Sequence, residues 1–550
     1  MKKHKKNNLK FLILVSLLAT SCISKENVDL IIHNGTIYTL NAYFDIDEAI
    51  AIKEGKILAS GKNNQILNKY TSAQTIDLKG KYAYPGFIDA HCHLLSYGLQ
   101  KQQVELSSCQ SFEEVIELMK DFSEKSDNNW LIGNGWDQNK WPNKKWPTNR
   151  ALNDAFPNHN VVINRIDGHA LMANEKAIVS SNINLDTTVF GGHIEIIEGK
   201  PTGIFVDNAM DLILNQIPEP SEDLKKSALV EAQKNCFAKG LTTVDIAGLI
   251  KEDIELIDKL HKTDELEIKT YIMLADNEEN FQHYVFEKNA PLKSNKMTIS
   301  SFKFFADGSL GSRGACLIKP YQDNKNTHGQ LLQNIASYKS KLSTLKEYGF
   351  QACTHAIGDS ANRIISHAYA NVLEGQNDFR WRIEHVQCIS PEDIHVIKEN
   401  NIIPSVQPTH ATSDFSWAIF RLGKERLNNC YRYFDLMNQN GLIALGTDFP
   451  VEKINPIHTF YAAVFRKNFQ KKPLGGFQIN ESLSRIEALK GMTIWAAIAN
   501  FEENEKGTLE TNKCADITIL NTDLLNCEEG KVLSSKVNYT IVDGEIVYEN

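Results

Sequence analysis

Short apolar runs of strand type alternate with helix-like stretches from residue 85 to residue 500, and this alternation narrows the available folds more than any other feature of the chain. The runs include Gly240 to Ile246 after the helical pattern Ser221 to Lys239, Thr298 to Phe305, Gln351 to His355 after Ile335 to Tyr348, Trp381 to Val386, Ile402 to Val406 and Gly441 to Leu445. Parallel strands cannot be joined by a tight turn and need a crossover, usually a helix. Repeated strand–helix succession therefore predicts an α/β fold with a parallel sheet, and the number of units suits a (β/α)8 TIM-like barrel. A doubly wound open sheet is the alternative. No Gly-x-Gly-x-x-Gly follows an early strand, so nothing points to a dinucleotide fold. The length beyond a minimal barrel falls mainly in residues 95 to 235, rich in Trp, Asn and Pro, and this insertion is expected to cap the barrel mouth. Trp130, Trp136, Trp141 and Trp146 beside Asp137 suggest an aromatic lid there, while core packing of the insertion explains them equally well.

The two ends read differently. Residues 28 to 84 hold short β-segments with turn signals: Val28 to Leu40 around Asn34-Gly35, Glu48 to Ser60 around Glu54-Gly55, and Ala73 to Leu78. Residues 501 to 550 repeat the style in Ala515 to Leu520 and in Tyr539 to Tyr548 around Asp543-Gly544, a good hairpin turn. Each end has too few strands to stand alone, so the two are expected to pair into one small β-sandwich domain.

In a barrel, chemistry gathers where strands end. Pro85-Gly86-Phe87-Ile88-Asp89-Ala90-His91-Cys92-His93 closes an apolar run with two imidazoles one residue apart. Side chains alternate along a strand, so His91 and His93 share a face and Cys92 takes the other. Two neutral imidazoles converging at a strand end can ligate a divalent metal, and their softness suits zinc better than magnesium or calcium. Further candidates end later strands: Thr354-His355, Glu384-His385 and Gly446-Thr447-Asp448. Any single histidine among them is more often a group satisfied by its neighbours. Their recurrence at successive strand ends points to a metal centre.

At the N-terminus, Lys2, Lys3, Lys5, Lys6 and Lys10 precede the apolar stretch Phe11 to Ala19 and then Thr20-Ser21-Cys22. This is the pattern of a secretory signal over residues 1 to 21. A cysteine directly after small residues resembles a bacterial lipoprotein processing site, which makes Cys22 the expected lipidated first residue of the mature chain, with a plain signal peptide as the alternative. The apolar run is too short to cross a bilayer. The expected address is the bacterial cell envelope, exported and held to the membrane by that lipid. A net charge of −9 lacks the clustered positive face that nucleic-acid binding needs, so no nucleic-acid partner is expected. Ten cysteines are widely spaced with no C-x-x-C pair, which leaves buried thiols as the default and a disulfide undecided.

The combination resembles the amidohydrolase superfamily, and its motifs are close to the amidohydrolase-3 branch that includes the N-substituted formamide deformylases. PGFIDAHCH at 85 to 93 is the most specific match, joined by Arg165-Ile166-Asp167-Gly168-His169, Pro201-Thr202-Gly203-Ile204, Lys303-Phe304-Phe305-Ala306-Asp307-Gly308-Ser309, His355-Ala356-Ile357-Gly358-Asp359, Glu384-His385 and Gly446-Thr447-Asp448. By that resemblance His91, His93 and Asp448 hold one metal, and His355 and His385 hold a second or orient substrate. The expected cofactor is zinc, as one ion or two. Lys303 sits where both strand faces should be buried, an awkward place for a lysine. In the related enzymes such a lysine is carboxylated and bridges two metals; the alternative is a structural lysine paired with Asp307 or Asp245. His169 and Asp167 read as substrate contacts, although Asp167 also suits a turn. Arg313 is open between a substrate anion and a solvated loop charge.

The resemblance implies hydrolysis of a small molecule's non-peptide C–N bond, an amide or formamide, by metal-activated water with Asp448 as general base and then acid. Ester or lactone hydrolysis on the same centre and a catalytically inactive solute-binding lipoprotein are the competing readings. Self-association as a homodimer stays open.

Overall fold

The computed structural model describes residues 25–126, 128–184 and 186–550; the expected signal over residues 1 to 21 and Cys22 lie outside the described residues. Eight parallel strands follow one another in chain order around the central sheet: β1 (Phe87–Cys92), β2 (Leu241–Leu249), β3 (Lys269–Ala275), β4 (Met297–Phe305), β5 (Gln351–Ala356), β6 (Arg382–His385), β7 (Ile403–Val406) and β8 (Ala444–Leu445). The ring nearly closes between its first and last strands. Asp448 N–H donates to His91 C=O and His93 N–H donates to Phe449 C=O, each at 2.8 Å. Gly446 permits that approach, since a Cβ there would stand 2.6 Å from the His91 nitrogen. Asp89 adds a side-chain tie across the same seam, its carboxylate accepting from Thr447 N–H at 2.8 Å and from Thr447 Oγ1 at 2.7 Å.

The strands are buried on both faces, which is why they read as near-continuous apolar runs. β5 is buried throughout, and β3 in all but its last residue. The crossovers start and stop where the sequence signals them. Helix Ile335–Tyr348 is capped by Asn334, whose side chain accepts from Ala336 N–H and Ser337 N–H, and it ends on Gly349 at φ 77°, two residues before β5.

The chain ends meet in one sheet. Ile517–Leu520 pairs antiparallel with Tyr82–Pro85 on one side and with Val537–Val542 on the other. Leu30–His33 instead joins Ala49–Lys53 and Gln74–Asp77 in a separate four-stranded sheet, and Ile32, Ile52, Ile517 and Ile541 pack between the two. The turns at Glu54-Gly55 and Asp543-Gly544 are hairpins with positive φ at both residues. Asn34-Gly35 is not: the chain changes sheets there, and a Cβ on Gly35 would stand 2.3 Å from the Leu78 side chain.

Six strands between Val104 and Asp207 form the insertion's own sheet. Trp136 and Trp141 are buried in its core and stack at 5.8 Å between ring centroids, with Trp146 packed against them. Core packing, rather than an aromatic lid, accounts for these rings. Among the described residues no helix is long and apolar enough to cross a membrane.

Candidate metal centre

β1 delivers His91 and the residue after it delivers His93 on the same side, as the two-residue period requires. The bend after β8 swings Asp448 to meet them, with φ at +61°, a conformation costly for a residue with a side chain. The donor atoms of His91, His93 and Asp448 all lie within 4.8 Å of one another. His93 Nε2 is 3.3 Å and His91 Nε2 3.8 Å from Asp448 Oδ1. That oxygen is buried and makes no hydrogen bond. A buried carboxylate oxygen without a hydrogen, facing two imidazole nitrogens, is what a bound cation would satisfy. The residues present fit a divalent metal.

The charge states agree. Burial, reinforced by Lys303, pushes the His91 imidazole down to about 4, so it is neutral and able to ligate. Burial likewise holds His355 and His385 well below the usual histidine range. Burial alone would raise Asp448, but the hydrogen bond from His410 and the adjacent His93, His91 and His385 imidazoles hold it well below the usual carboxylate range.

Outer groups aim these ligands. His91 Nδ1 donates to Glu384 Oε2 at 2.7 Å, both side chains being fully buried, which leaves Nε2 for the centre. Burial opposes the Glu384 charge, yet His91 and Arg382 hold that carboxyl down at about 2. Arg382 in turn donates to Asp245 at 2.9 Å and lies over the Tyr271 ring. His385 Nδ1 is 2.6 Å from Gln407 Oε1, and His355 Nε2 is 3.4 Å from the Gly308 carbonyl, so each offers its other nitrogen.

Lys303 is buried on β4 with Nζ 3.1 Å from His91 Nε2. Neither acid suggested as its partner is available: Asp245 is engaged by Arg382 and Asn500, and Asp307 accepts the backbone N–H groups of Ile357, Gly358 and Cys316. Burial lowers the lysine's pKa, despite Glu384 and Asp448 nearby. His355 and His385 stand side by side, ring centroids 4.6 Å apart.

A histidine at the centre escaped the sequence reading. His410, on the helix Pro408–Asp414 that follows β7, donates through Nε2 to Asp448 Oδ2 at 3.1 Å. Its donor atom groups with those of His385 and Asp448 within 4.8 Å. Burial disfavours its charge, but the bonds to Asp448 and Glu452 prevail and raise its pKa to about 10. Its only signal was Pro408 breaking the strand and starting a helix at the barrel mouth.

Of the suggested substrate contacts, His169 reaches the centre, its ring centroid 4.8 Å from that of His355. Asp167 is taken up by Arg165 at 2.5 Å and by the Ser309 hydroxyl. Arg313 is ion-paired with Asp323 at 3.0 Å. A cavity of about 600 Å³ opens from His93 and Lys303, with Ile246, Leu249, Phe305 and Leu332 on apolar walls and Asp211 and Asp276 on polar ones.

Residues 74–548 match the model of the amidohydrolase family. The Arabidopsis thaliana protein LONG AFTER FAR-RED 3 is 32% identical over 94% of this chain and 91% of its own length. The N-substituted formamide deformylase of Arthrobacter pascens is 24% identical over 95% of this chain and 98% of its own. The crystal structure of an uncharacterized metal-dependent hydrolase from Pyrococcus horikoshii superposes with a TM-score of 0.74 at 28% identity, over 91% of this chain and 99% of that one. With eight barrel strands presenting a histidine and aspartate cluster at their C-terminal mouth, the chain belongs to the amidohydrolase family and is a metal-dependent hydrolase acting on C–N bonds.

Proposed function

We propose that the protein hydrolyses the amide or formamide bond of a small non-peptide substrate, with zinc as its metal and Asp448 as the proton-transferring group. The observation that carries this reading is Asp448 itself: one oxygen faces His91 and His93 without a hydrogen bond, while the other is fixed by His410. His91, His93 and Asp448 would hold one ion, and His385 with His355 would serve a second. When bound, the cation supplies Lewis acidity to water and to the scissile carbonyl. Asp448 takes the proton of the attacking water and delivers it to the departing nitrogen, as general base and then general acid. His410 keeps the carboxylate turned towards the reacting atoms. The apolar cavity walls seat the substrate and keep bulk water from the leaving group.

Lys303 suits carboxylation. Its lowered pKa favours the neutral amine, whose lone pair adds to carbon dioxide with loss of a proton, and the resulting carbamate turns a cation into an oxygen ligand. The sequence further supports export and lipid anchoring through Cys22.

Asp448→Asn tests the assignment. Turnover of a panel of N-formyl and N-acetyl amines, followed by amine release, should fall by about 100- to 10,000-fold, the usual worth of a positioned acid or base. Unchanged turnover would remove Asp448 from the mechanism.

A further inference from the structure

Resting on the hydrolytic reading above, we propose that His169 is a substrate-contacting residue supplied by the insertion and that Asp207 is its positioning residue. Strands Ala170–Ala173 and Lys200–Asp207 are antiparallel neighbours, with Ala170 opposite Val206, so the sheet places His169 and Asp207 together. The backbone reinforces the pairing, since Asp207 N–H donates to His169 C=O at 3.0 Å. His169 Nδ1 then donates to Asp207 Oδ1 at 2.8 Å.

Three features at Asp207 have no packing explanation. Its φ is +52°, a left-handed conformation that costs energy for any residue with a Cβ. Its side chain is fully buried, yet Oδ2 makes no hydrogen bond. Its carboxylate occupies a slot kept open by two glycines after β4, because a Cβ on Gly308 or on Gly314 would come within 2.2 Å of its oxygens. The slot cleared of side chains lets one carboxylate lie against one imidazole, at the cost of a strained backbone and an unmet oxygen.

The imidazole's other nitrogen is free. Among the described residues His169 Nε2 makes no hydrogen bond to protein, and the side chain stays 14% exposed. The ring stands 4.8 Å from the His355 ring and 6.3 Å from that of Phe305, a cavity wall residue. A carboxylate that fixes one ring nitrogen selects the tautomer and rotamer of the other. His169 thus presents a fixed polar contact to an amide held beside the centre, from an element outside the barrel strands.

Acetohydroxamate, a metal-chelating analogue of an amide, is the probe. Its affinity for the zinc-loaded protein is measured by calorimetry, with metal content measured on every variant. His169→Phe and Asp207→Ala should each weaken binding about tenfold, the worth of one well-formed hydrogen bond to a buried ligand, at unchanged metal content. Asp207→Asn keeps an oxygen that accepts from Nδ1 and should restore most of the affinity, which a purely structural role for the pair would not produce. In wild type the His169 Nδ1 proton should be detectable by 15N-edited NMR and lost in Asp207→Ala. Equal affinities in wild type, His169→Phe and Asp207→Ala would overturn the inference and leave the hydrolytic reading standing. Loss of metal from His169→Phe would overturn it too, by making His169 a metal-retaining group. No binding of acetohydroxamate to the zinc-loaded wild type would overturn the hydrolytic reading and this inference with it.

Discussion

Glu384→Gln removes one negative charge from behind His91, a proposed metal ligand, while leaving the shape of the site intact. The wild-type carboxylate accepts from His91 Nδ1 at 2.7 Å, with neither side chain exposed, so solvent cannot screen the contact. Its charge makes the imidazole a better donor and fixes Nε2 towards the centre. A glutamine oxygen still accepts that proton, and Arg382 keeps its bond to Asp245 at 2.9 Å, so the fold survives. What is lost is the electrostatic support of the ligand. Outer partners of this kind are worth about 10- to 100-fold in metal affinity, which is about 1.4–2.8 kcal/mol at 1.4 kcal/mol per tenfold. Competition for zinc against a fluorescent chelator reads the constant directly, and circular dichroism verifies the fold. A variant that is folded and binds zinc as tightly as wild type would refute the argument that Glu384 acts through His91.

Two further outcomes follow from other parts of the chain. Lys269, buried where the barrel meets the terminal sheet, donates to Asp516 at 2.9 Å and to Asp543 at 2.5 Å. Lys269→Met leaves those carboxylates facing an apolar group and should cost about 3–5 kcal/mol in urea unfolding. Burial lowers this lysine's pKa, but the two carboxylates outweigh it and raise the value well above the ordinary one. A folded-state pKa above the unfolded one of about 10.4 means the pair's contribution is fully present below that pH and lost as pH rises through the folded value. The stability gap between wild type and variant should therefore be constant from about pH 7 to pH 9 and shrink only above about pH 10.4; a gap that closes already near neutrality would contradict the pairing. At the N-terminus, Cys22→Ser should move the protein from the membrane fraction to the soluble exported fraction, and continued sedimentation with membranes would remove the lipid anchor.

Much of the barrel was legible because a parallel sheet buried on both faces imposes continuous apolar runs. The reading Gln351 to His355 became strand Gln351–Ala356, and helix Ile335–Tyr348 was bounded by Asn334 and Gly349, residues with specific capping chemistry. Turns whose φ demands glycine or aspartate were readable at Asp543-Gly544 but misleading at Asn34-Gly35, where the same dipeptide type carries the chain between sheets. The candidate ligands at strand ends were visible since each polar residue interrupts an apolar run. His410 was not, because it sits in a helix whose place over Asp448 depends on tertiary packing. Asp207 and Arg382 escaped for the same reason, their partners His169 and Asp245 lying 38 and 137 residues away. The Cys388–Cys430 disulfide joins residues 42 apart and had no spacing signature.

The central claim, a metal centre built on His91, His93, Asp448 and Lys303, is tested most directly by elemental analysis of a truncated chain lacking residues 1 to 22, purified without added metal, beside its Lys303→Ala variant. About two equivalents of zinc in wild type, falling towards one in the variant, is the expected result. One equivalent in both would make Lys303 structural, and no metal in wild type even after zinc is offered would contradict the account.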